Sequence, residues 1–395
     1  MTPSTESPAH PLRILIAYVT AGAGHRRAAE ALAQAIRAAL PGAEVDCRDV
    51  LDDVSGLVRR GYPATYYFLI RYLSRVWGWC FELLDAWPVH VVTQPIRRAW
   101  NLLVTRRFIA RLRQRPPDLV VATHFLPADL FSACKQAGWL AAPLVVVVTD
   151  LHPHRLWLSR QADAYVCGTD MGAAVIQWRG IPAERLHVLG IPTAAAFHEP
   201  VSRPDAQQLF GLNASRLTAL ITSGGSTVGP FEPVVRALMA LERVIPGRLQ
   251  LLVVCGANAA AARRLNASAA GQAMPVRVFG FIDTMPQAMA ASDVVVTKAG
   301  GLTVMEALSR HLPLVIYHVI PGQERVNARY VCRHGAALLL HRPPEVAEAV
   351  RHLAMKPERL ASMRDAAKAL SRPDAAERIA REVVRPLVEG RAIHA

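Results

Sequence analysis

The sequence predicts an α/β protein made of two doubly wound parallel-sheet domains in tandem. In each of two stretches, short β-branched runs alternate with Ala/Leu-rich helical patterns, as in a parallel sheet covered by helices. A segment with three prolines, 192–205, lies between them and resembles a linker. The 395 residues suffice for two cores of ordinary size. We therefore expect a cleft between the C-terminal edges of the two sheets, where ligands of such folds bind.

The first domain is predicted over residues 12–200. It begins with an apolar strand, 13–19, followed by a glycine-containing loop and a helical pattern that runs to Leu40. Further strands are predicted at 44–48, 118–123 and 143–149, with a helix at 128–137. Residues 57–115 interrupt this alternation and are expected to form several amphipathic helices broken by prolines.

The second domain is predicted over residues 206–372. Its strands are expected at 217–222, 249–255, 276–279, 293–296 and 314–317. Its helices are expected at 231–244, 258–267, 285–291, 303–310 and 323–334. The remaining segment, 373–395, contains a final helix that we expect to pack back on the first domain.

Composition excludes several protein classes. With 52% hydrophobic and 19% charged residues the chain is globular rather than disordered. No apolar run reaches the ~18 residues that a membrane-spanning helix needs, and residues 2–11 lack the features of a signal peptide. We therefore expect a cytoplasmic protein. The six cysteines form no C-x-x-C pair, so neither a zinc site nor a disulfide framework is predicted.

The formal charge of +14 is concentrated in one region. Residues 57–115 hold eleven Arg against Glu82 and Asp85, and eleven of the 25 aromatic residues. Four Trp beside Arg clusters favour a surface that lies at the headgroup level of an anionic membrane. The high Leu, Ile and Val content argues against nucleic acid as the partner. Helices that pack on the first domain with Arg turned to solvent remain the alternative.

The segment 294–306 predicts a phosphate site. A β-branched run ends at Gly300 and Gly301, and a helical pattern follows at once. Bare backbone N–H groups and a helix N-terminus at the end of a buried strand bind phosphate well. Glu306 lies one turn into the helix on the face of Thr303, within reach of a ribose attached to that phosphate. A tight turn that needs glycine only for packing is the alternative.

Two further glycine loops follow predicted strands. The loop 222–229, with Ser223, Gly224, Gly225 and Ser226, is a second candidate phosphate cradle or else a flexible turn. The loop 22–25 matches neither the dinucleotide fingerprint nor a P-loop. It places His25 at a helix N-terminus, where the dipole lowers the pKa of the imidazole and keeps it neutral, as a general base requires. A helix-capping or packed histidine is the alternative.

Other polar residues are placed near the predicted cleft. Gln323 and Glu324 stand side by side at a helix start and suit hydrogen bonds to sugar hydroxyls, although Glu is common in any first helical turn. Asp150, His152 and His154 could suggest a metal, but Pro153 breaks the geometry and no further ligand cluster is visible. We expect Gly24, Asp150 and His154 on the acceptor side of the cleft instead, and no metal.

Together these motifs resemble the family 28 glycosyltransferases of the monogalactosyldiacylglycerol synthase and processive diacylglycerol glucosyltransferase type. The resemblance runs from Ile14 to about Leu353. It is carried by residues 21–25 with 28–32, Gly280-Phe281 with Met285-Pro286, residues 297–303, Glu306-Ala307 and residues 321–324. Ala23 stands where many relatives have a third glycine. A related subgroup, the peptidoglycan enzyme that adds N-acetylglucosamine to lipid I, shares the fold but uses a different donor.

The resemblance implies a GT-B fold, in which two Rossmann-like domains face a central cleft, and an inverting, metal-independent transfer from a UDP-sugar. It assigns His25 as catalytic base and Glu306 to the ribose hydroxyls. The uracil would meet the backbone near Phe281, and the hexose would meet Gln323 and Glu324. Residues 223–226 and 300–303 would hold the diphosphate, and Lys298 matches an expected family lysine.

The expected function is transfer of a hexose to the hydroxyl of diacylglycerol or a glycosyl-diacylglycerol, giving a membrane glycolipid. The protein would then be peripheral on the inner face of the cell membrane and need no cofactor. A polyprenyl-linked or soluble acceptor, and a non-catalytic nucleotide-sugar-binding protein, remain alternatives. The sequence does not choose between galactose, glucose and glucuronate.

Overall fold

Two parallel six-stranded sheets form the frame of the molecule. The computed structural model describes residues 11–392 except 21, 23 and 225–227, with side chains described up to residue 390. The predicted fold class, two doubly wound parallel-sheet domains that face a cleft, is confirmed.

The first sheet has the strand order β2-β1-β3-β4-β5-β6. Its strands are β1 (Arg13–Tyr18), β2 (Glu44–Asp49), β3 (Leu119–Ala122), β4 (Leu144–Val147), β5 (Ala164–Cys167) and β6 (Leu186–Val188). Its helices are α1 (Gly24–Ala39), α2 (Gly56–Tyr72), α3 (Ser74–Asp85), α4 (Trp87–Val104), α5 (Arg106–Gln114), α6 (Phe125–Gln136) and α7 (Asp170–Trp178). The sequence reading did not identify β5, α7 or β6.

The second sheet has the strand order β12-β11-β10-β7-β8-β9. Its strands are β7 (Leu217–Thr222), β8 (Leu249–Val254), β9 (Val276–Phe279), β10 (Val294–Lys298), β11 (Leu314–His318) and β12 (Ala337–Leu339). Its helices are α8 (Arg203–Leu209), α9 (Phe231–Met239), α10 (Ala259–Ala269), α11 (Met285–Ala290), α12 (Gly301–Ser309), α13 (Gln323–Arg333), α14 (Pro343–Met355) and α15 (Pro357–Leu370).

The final segment returns to the first sheet. It consists of α16 (Ala375–Arg378), a π-helical stretch (Ile379–Val384) and α17 (Arg385–Ala392). Ile379 and Val383 are buried in the same apolar cluster as Leu32 and Ile36 of α1. The final segment therefore packs against one face of the first sheet, as predicted.

In each sheet the strand order reverses at one point. The reversal lies between β1 and β3 in the first sheet and between β7 and β10 in the second. Loops that leave two such strands go to opposite faces of the sheet and open a crevice at its C-terminal edge. The two crevices face each other, because the backbone of Gly301, after β10, lies against the carbonyl of Thr149, after β4.

The helices α2 to α5 were predicted to be broken by prolines, and this was wrong except at the start of α4, where Pro88 follows the break at Ala86. Pro63 lies inside α2 and Pro95 inside α4, whereas the breaks fall at Leu73, Ala86 and Thr105. A proline removes one helical hydrogen bond but does not end a helix that neighbouring contacts hold in place. Among the described residues, no helix is both long and apolar enough to cross a membrane.

Candidate active site

Three adjoining cavities follow the cleft between the two halves. A polar one of about 130 Å³, here called the central cavity, is lined by His25, Asp150, Gly224, Lys298, Thr303 and Glu324 among others. It shares Arg27, Gly224 and Thr303 with a second cavity of about 170 Å³ in the C-terminal half, here called the C-terminal cavity. It shares His25, Tyr66 and Gln323 with an apolar cavity of about 470 Å³ in the N-terminal half, here called the apolar groove.

His25 stands where the central cavity meets the apolar groove. It lies in the first turn of α1, directly after the β1 loop, as predicted. Its Nδ1 is 3.0 Å from the carbonyl oxygen of Thr123 and 2.8 Å from Oγ1 of Thr149. Thr123 follows β3, so the switch point of the first sheet brings these groups together. The Thr123 hydroxyl donates in turn to the His25 carbonyl at 3.1 Å.

These contacts determine the protonation of the His25 ring. A carbonyl oxygen can only accept, so the ring proton resides on Nδ1 and leaves Nε2 as a bare acceptor. Burial lowers the pKa of His25 to about 4, although the hydrogen bond to Thr123 raises it in part. The predicted neutral imidazole is therefore present, but burial rather than the helix dipole is the cause.

Glu306 is buried on α12 and faces the N-terminal half. Its Oε1 lies 3.8 Å from Nη1 of Arg27, the second residue after His25 on α1. Burial raises the pKa of the Glu306 carboxyl to about 7, and the Arg27 guanidinium offsets part of that rise. Arg27 lines both the central and the C-terminal cavity. The Arg27–Glu306 pair therefore connects the two halves. At this point the guanidinium can bind an anion and the carboxylate can bind the hydroxyl groups of a ring attached to it.

Lys298 and Glu324 form a buried ion pair in the wall of the central cavity. The ammonium of Lys298 lies 2.5 Å from Oε1 of Glu324, and Oε2 of Glu324 accepts from the backbone N–H of Ile320 at 2.9 Å. Both carboxylate oxygens already have a partner. The predicted hydroxyl binding by Glu324 would use its remaining lone pairs, and Gln323 lines the central cavity beside it.

The two predicted phosphate loops lie side by side at the switch point of the second sheet. Gly224 has a φ of +68°, which favours glycine, and a Cβ there would lie 3.6 Å from the hydroxyl of Thr303. Gly300 is the N-cap of α12, so the helix begins at Gly301, two residues earlier than predicted. Ser223 is buried beside this loop. Gly225 and Ser226 fall outside the described residues.

Gly301 is a point of close approach between the halves. A Cβ there would lie 2.6 Å from the carbonyl oxygen of Thr149, so only glycine fits without a shift of the backbone. Next to it, the Asn327 amide donates to the carbonyl of Ala299 and accepts from the N–H of Leu151, at 3.1 and 3.2 Å. These contacts hold the N-terminus of α12 against the end of β4.

Phe281 belongs to the C-terminal cavity, whereas two of the residues expected on the acceptor side belong to the central cavity. Phe281 is exposed at the rim of the C-terminal cavity. Gly24 and Asp150, which were expected on the acceptor side, line the central cavity. Asp150 accepts from the indole N–H of Trp157 at 3.4 Å, and burial raises the pKa of its carboxyl to about 6.

His154 was expected in the cleft, but it is buried behind Phe81 and lines none of the three cavities. Its Nδ1 accepts from the N–H of Leu156 at 3.0 Å, and its Nε2 lies 2.8 Å from the carbonyl of Phe81 on α3. Burial lowers the pKa of His154 to about 4. These contacts attach α3 to the rest of the first domain. The His-Pro-His pattern alone does not distinguish this structural role from a binding role.

The sequence missed several residues of the cleft: Arg27, Tyr66, His124 and Thr149, which line it, and Thr123, which contacts His25. Arg27 and Thr149 lie beside His25 and Asp150, which the sequence singled out, whereas Tyr66, Thr123 and His124 come from other segments. Within the described part of the chain, no three His, Cys, Asp or Glu side chains are grouped as a metal site requires.

The apolar groove reaches from His25 to the outer surface of α2 and α4. Its wall includes Tyr62, Leu69, Trp77 and Phe81, and its rim includes Leu57 and Trp100, which are 85% and 59% exposed. Beyond the rim, large side chains of α2 to α4 are exposed, which is unusual for surface helices. We call this surface the aromatic face; it includes Phe68, Tyr72, Val76, Trp79, Trp87, Val92 and Ile96.

Several arginines of the 57–115 region are less available than the sequence suggested. Arg97 and Arg98 approach Asp129, Arg111 binds Asp53, and Arg59 binds Asp52. These carboxylates lie outside the 57–115 window in which the charge was counted. Within the described part of the chain, no carboxylate pairs with Arg60, Arg71 or Arg75.

Known proteins resemble this chain over both halves. Residues 25–193 match the family model of monogalactosyldiacylglycerol (MGDG) synthase, and residues 218–379 match that of the glycosyltransferase family 28 C-terminal domain. A processive diacylglycerol beta-glucosyltransferase of Bacillus cereus (strain AH187) is 29% identical over 275 residues, 69% of each chain. One from Bacillus anthracis (strain A0248) is 28% identical over the same length, again 69% of each chain.

Solved structures share the fold. MurG of Acinetobacter baumannii superimposes with a TM-score of 0.63 at 17% identity, covering 95% of this chain and 100% of that chain. Anabaena Alr3699/HepE in complex with UDP-glucose gives 0.58 at 15%, with 95% and 100% covered. UDP-GlcNAc 2-epimerase from Neisseria meningitidis gives 0.61 at 14%, with 96% and 100% covered. Since an epimerase has this fold too, the fold alone does not decide the reaction.

Proposed function

Given that the chain belongs to the family 28 glycosyltransferases of the monogalactosyldiacylglycerol synthase and processive diacylglycerol glucosyltransferase type, and is thus a UDP-sugar-dependent enzyme, we propose that it transfers a hexose to the free hydroxyl of a diacylglycerol. The observation that carries this proposal is the position of His25. Its bare Nε2 stands between a polar cavity suited to a sugar nucleotide and an apolar groove suited to a lipid chain.

The C-terminal half holds the donor in this proposal. The nucleoside occupies the C-terminal cavity, with the uracil near Phe281 and the ribose hydroxyls on the Glu306 carboxylate. The diphosphate lies in the central cavity against the Gly224 loop and the N-terminus of α12. The hexose then extends toward Gln323 and Glu324, and its anomeric carbon faces the N-terminal half.

Transfer proceeds as a single in-line displacement. The acceptor hydroxyl gives its proton to Nε2 of His25 as its oxygen attacks the anomeric carbon, and UDP leaves from the opposite side. An α-linked donor thus yields a β-linked product. Negative charge that develops on the departing diphosphate meets the α12 N-terminus and the Arg27 guanidinium, so residues of this chain provide the stabilisation.

The aromatic face attaches the enzyme to the bilayer that contains the acceptor. Exposed Trp and aliphatic side chains suit the headgroup boundary, and Arg60, Arg71 and Arg75 add attraction for anionic lipids. Because Leu57 and Trp100 stand both on this face and on the rim of the groove, a diacylglycerol can pass from the membrane to His25 without crossing water. The protein is then peripheral on the inner face of the membrane.

The test is an incubation of the purified protein with vesicles that contain diacylglycerol and, in turn, radiolabelled UDP-glucose, UDP-galactose or UDP-glucuronate. We expect a labelled glycolipid on thin-layer chromatography from one of these donors, with a β-anomeric proton by NMR. Labelling of a polyprenyl phosphate or a soluble acceptor, with none of diacylglycerol, would overturn the acceptor assignment. Binding of UDP-sugar without turnover on any acceptor would overturn catalysis.

A further inference from the structure

A second histidine adjoins His25 in the wall of the apolar groove. The ring of His124 lies edge-on to that of His25, with the ring centroids 4.5 Å apart at an interplanar angle of 83°. His124 follows β3 and is the N-cap of α6, and its ring also stacks near Phe125. Both histidine rings line the groove. None of the motifs considered in the sequence includes His124.

The N-cap contact fixes the protonation of the His124 ring. Its Nδ1 accepts from the backbone N–H of Leu126 at 3.0 Å, so a neutral ring carries its proton on Nε2. Burial, together with the neighbouring His25, lowers the pKa of His124 well below its usual range, so the ring is neutral. Among the described residues none accepts a hydrogen bond from this Nε2–H.

The two rings therefore offer opposite groups to a ligand in the groove. His25 presents a bare nitrogen that accepts a proton, because its N–H is bound to the Thr123 carbonyl. His124 presents an N–H that donates, and it cannot act as a second base. A ligand that fits both needs a hydroxyl for His25 and, beside it, an oxygen that only accepts.

We propose that the Nε2–H of His124 donates a hydrogen bond to the ester carbonyl next to the acceptor hydroxyl, so that His124 positions the acceptor and selects ester-linked lipids. This inference rests on the proposed function. In a diacylglycerol the hydroxyl and the nearest ester stand on adjacent carbons, a spacing that suits two rings 4.5 Å apart. An ether-linked lipid has the same shape but lacks the carbonyl.

Selection follows from the burial of the donor. An N–H left unpaired in an apolar groove is costly, so the site discriminates against a lipid that cannot accept from it. We expect the wild-type enzyme to use diacylglycerol about threefold to tenfold better, in kcat/KM for the acceptor, than dialkylglycerol of equal chain length. The donor KM should be the same with both.

Two variants separate positioning from capping. In His124→Asn, the side-chain oxygen can still accept from the Leu126 N–H, since Asn is a favoured N-cap, but the groove N–H is lost. With diacylglycerol, this variant should be as slow as the wild-type enzyme is with dialkylglycerol. In His124→Gln, the amide N–H reaches farther and can replace Nε2–H, whereas the cap is lost. It should keep the ester preference and melt at a lower temperature.

The experiment measures acceptor kinetics of the three proteins on ester- and ether-linked lipids in the same vesicles, with UDP affinity as the folding control. An ester preference in the wild type that disappears in His124→Asn and persists in His124→Gln supports the inference. Equal use of both lipids by the wild type, or an ester preference retained in His124→Asn, overturns it. Transfer to neither lipid by the wild type would overturn the proposed function instead.

Discussion

The two halves of the molecule have similar sheets and use them in different ways. In the C-terminal half, the crevice at the switch point is lined by main chain, at Gly224, Gly300 and Gly301. In the N-terminal half, the equivalent crevice is lined by side chains, with His25 and His124 at its centre. A diphosphate can be bound by backbone N–H groups and a helix terminus, whereas the movement of a proton requires a titratable group.

The outer surfaces of the halves differ as well. Between Leu57 and Leu103 large apolar side chains reach solvent in succession, whereas the described part of the C-terminal half exposes scattered ones such as Phe281 and Met355. Insertion of α2 to α5 into an otherwise ordinary doubly wound domain produces this difference. One half thus has the features needed for a nucleotide and the other those needed for a lipid surface.

The strongest test of this division is His25→Ala. If His25 is the base, its loss should lower the rate of transfer by about 10²–10⁴ while the affinity for UDP stays at the wild-type value, because the proposed donor site lies in the other half. Radiolabel transfer and calorimetric UDP titration give the two numbers. A fall in UDP affinity of similar size, or wild-type turnover, would contradict the division.

The reciprocal test is Glu306→Ala. Removal of a carboxylate that bonds the ribose hydroxyls should weaken UDP binding by about tenfold to a hundredfold, since hydrogen bonds to charged groups contribute about 1.5–3 kcal/mol. Titration calorimetry measures the change. Glu358→Ala, at an exposed site on α15, is the matched control and should bind UDP as the wild type does. Unchanged affinity in Glu306→Ala would remove this residue from the donor site.

The difference between the outer surfaces is tested by the double variant Trp79→Ser with Trp87→Ser. Both side chains lie on the aromatic face and neither lines the groove. Partitioning onto anionic vesicles should fall by about tenfold or more, from the apolar burial lost, and UDP binding should not change. Sedimentation with vesicles measures the partitioning.

Trp178→Ser is the control for that variant, because Trp178 is 78% exposed on α7, outside the aromatic face. Vesicle binding should survive this change. If the control loses as much binding as the double variant, the aromatic face is not the membrane surface.

A smaller effect concerns pH. With its pKa raised to about 7, Glu306 is mostly protonated at pH 6 and mostly ionised at pH 8. If the carboxylate binds the ribose, UDP affinity should be severalfold weaker at pH 6 than at pH 8. Glu306→Gln should bind weakly at both values and lose the pH dependence. A wild-type affinity independent of pH would exclude an ionised Glu306 from the contact.

How well the sequence predicted each strand depended on how clearly the apolar run and the turn residues at its ends marked it. The strands β7 and β9 have the predicted bounds, because turn residues delimit continuous apolar runs. The strands β6 and β12 were missed, since three residues carry too little pattern to separate a strand from a loop. The strand β5 is as long as β9, but no proline or glycine directly before it marks its start.

The residues of the candidate site were likewise predicted where a local sequence pattern marked them and missed where it did not. The glycine loops and Glu306 lie within single segments, so local pattern revealed them. The partners of His25 are 98 and 124 residues away along the chain, and only the order of the strands brings them together. His154 was placed on the acceptor side of the cleft from its nearness to Asp150 in the sequence, whereas in the structure its ring caps a short turn. The charge of 57–115 was likewise reduced by carboxylates from elsewhere.

In the proposed mechanism, the anchoring of the His25 ring has a consequence for the end of the catalytic cycle. Nδ1 is bound to the Thr123 carbonyl and to the Thr149 hydroxyl, which itself donates to the same carbonyl, so the described residues offer no inward path for a captured proton. The proton must depart from Nε2, through the opening by which it arrived. A ring with a pKa near 4 releases it readily, so regeneration of the base depends on how fast the product vacates that opening.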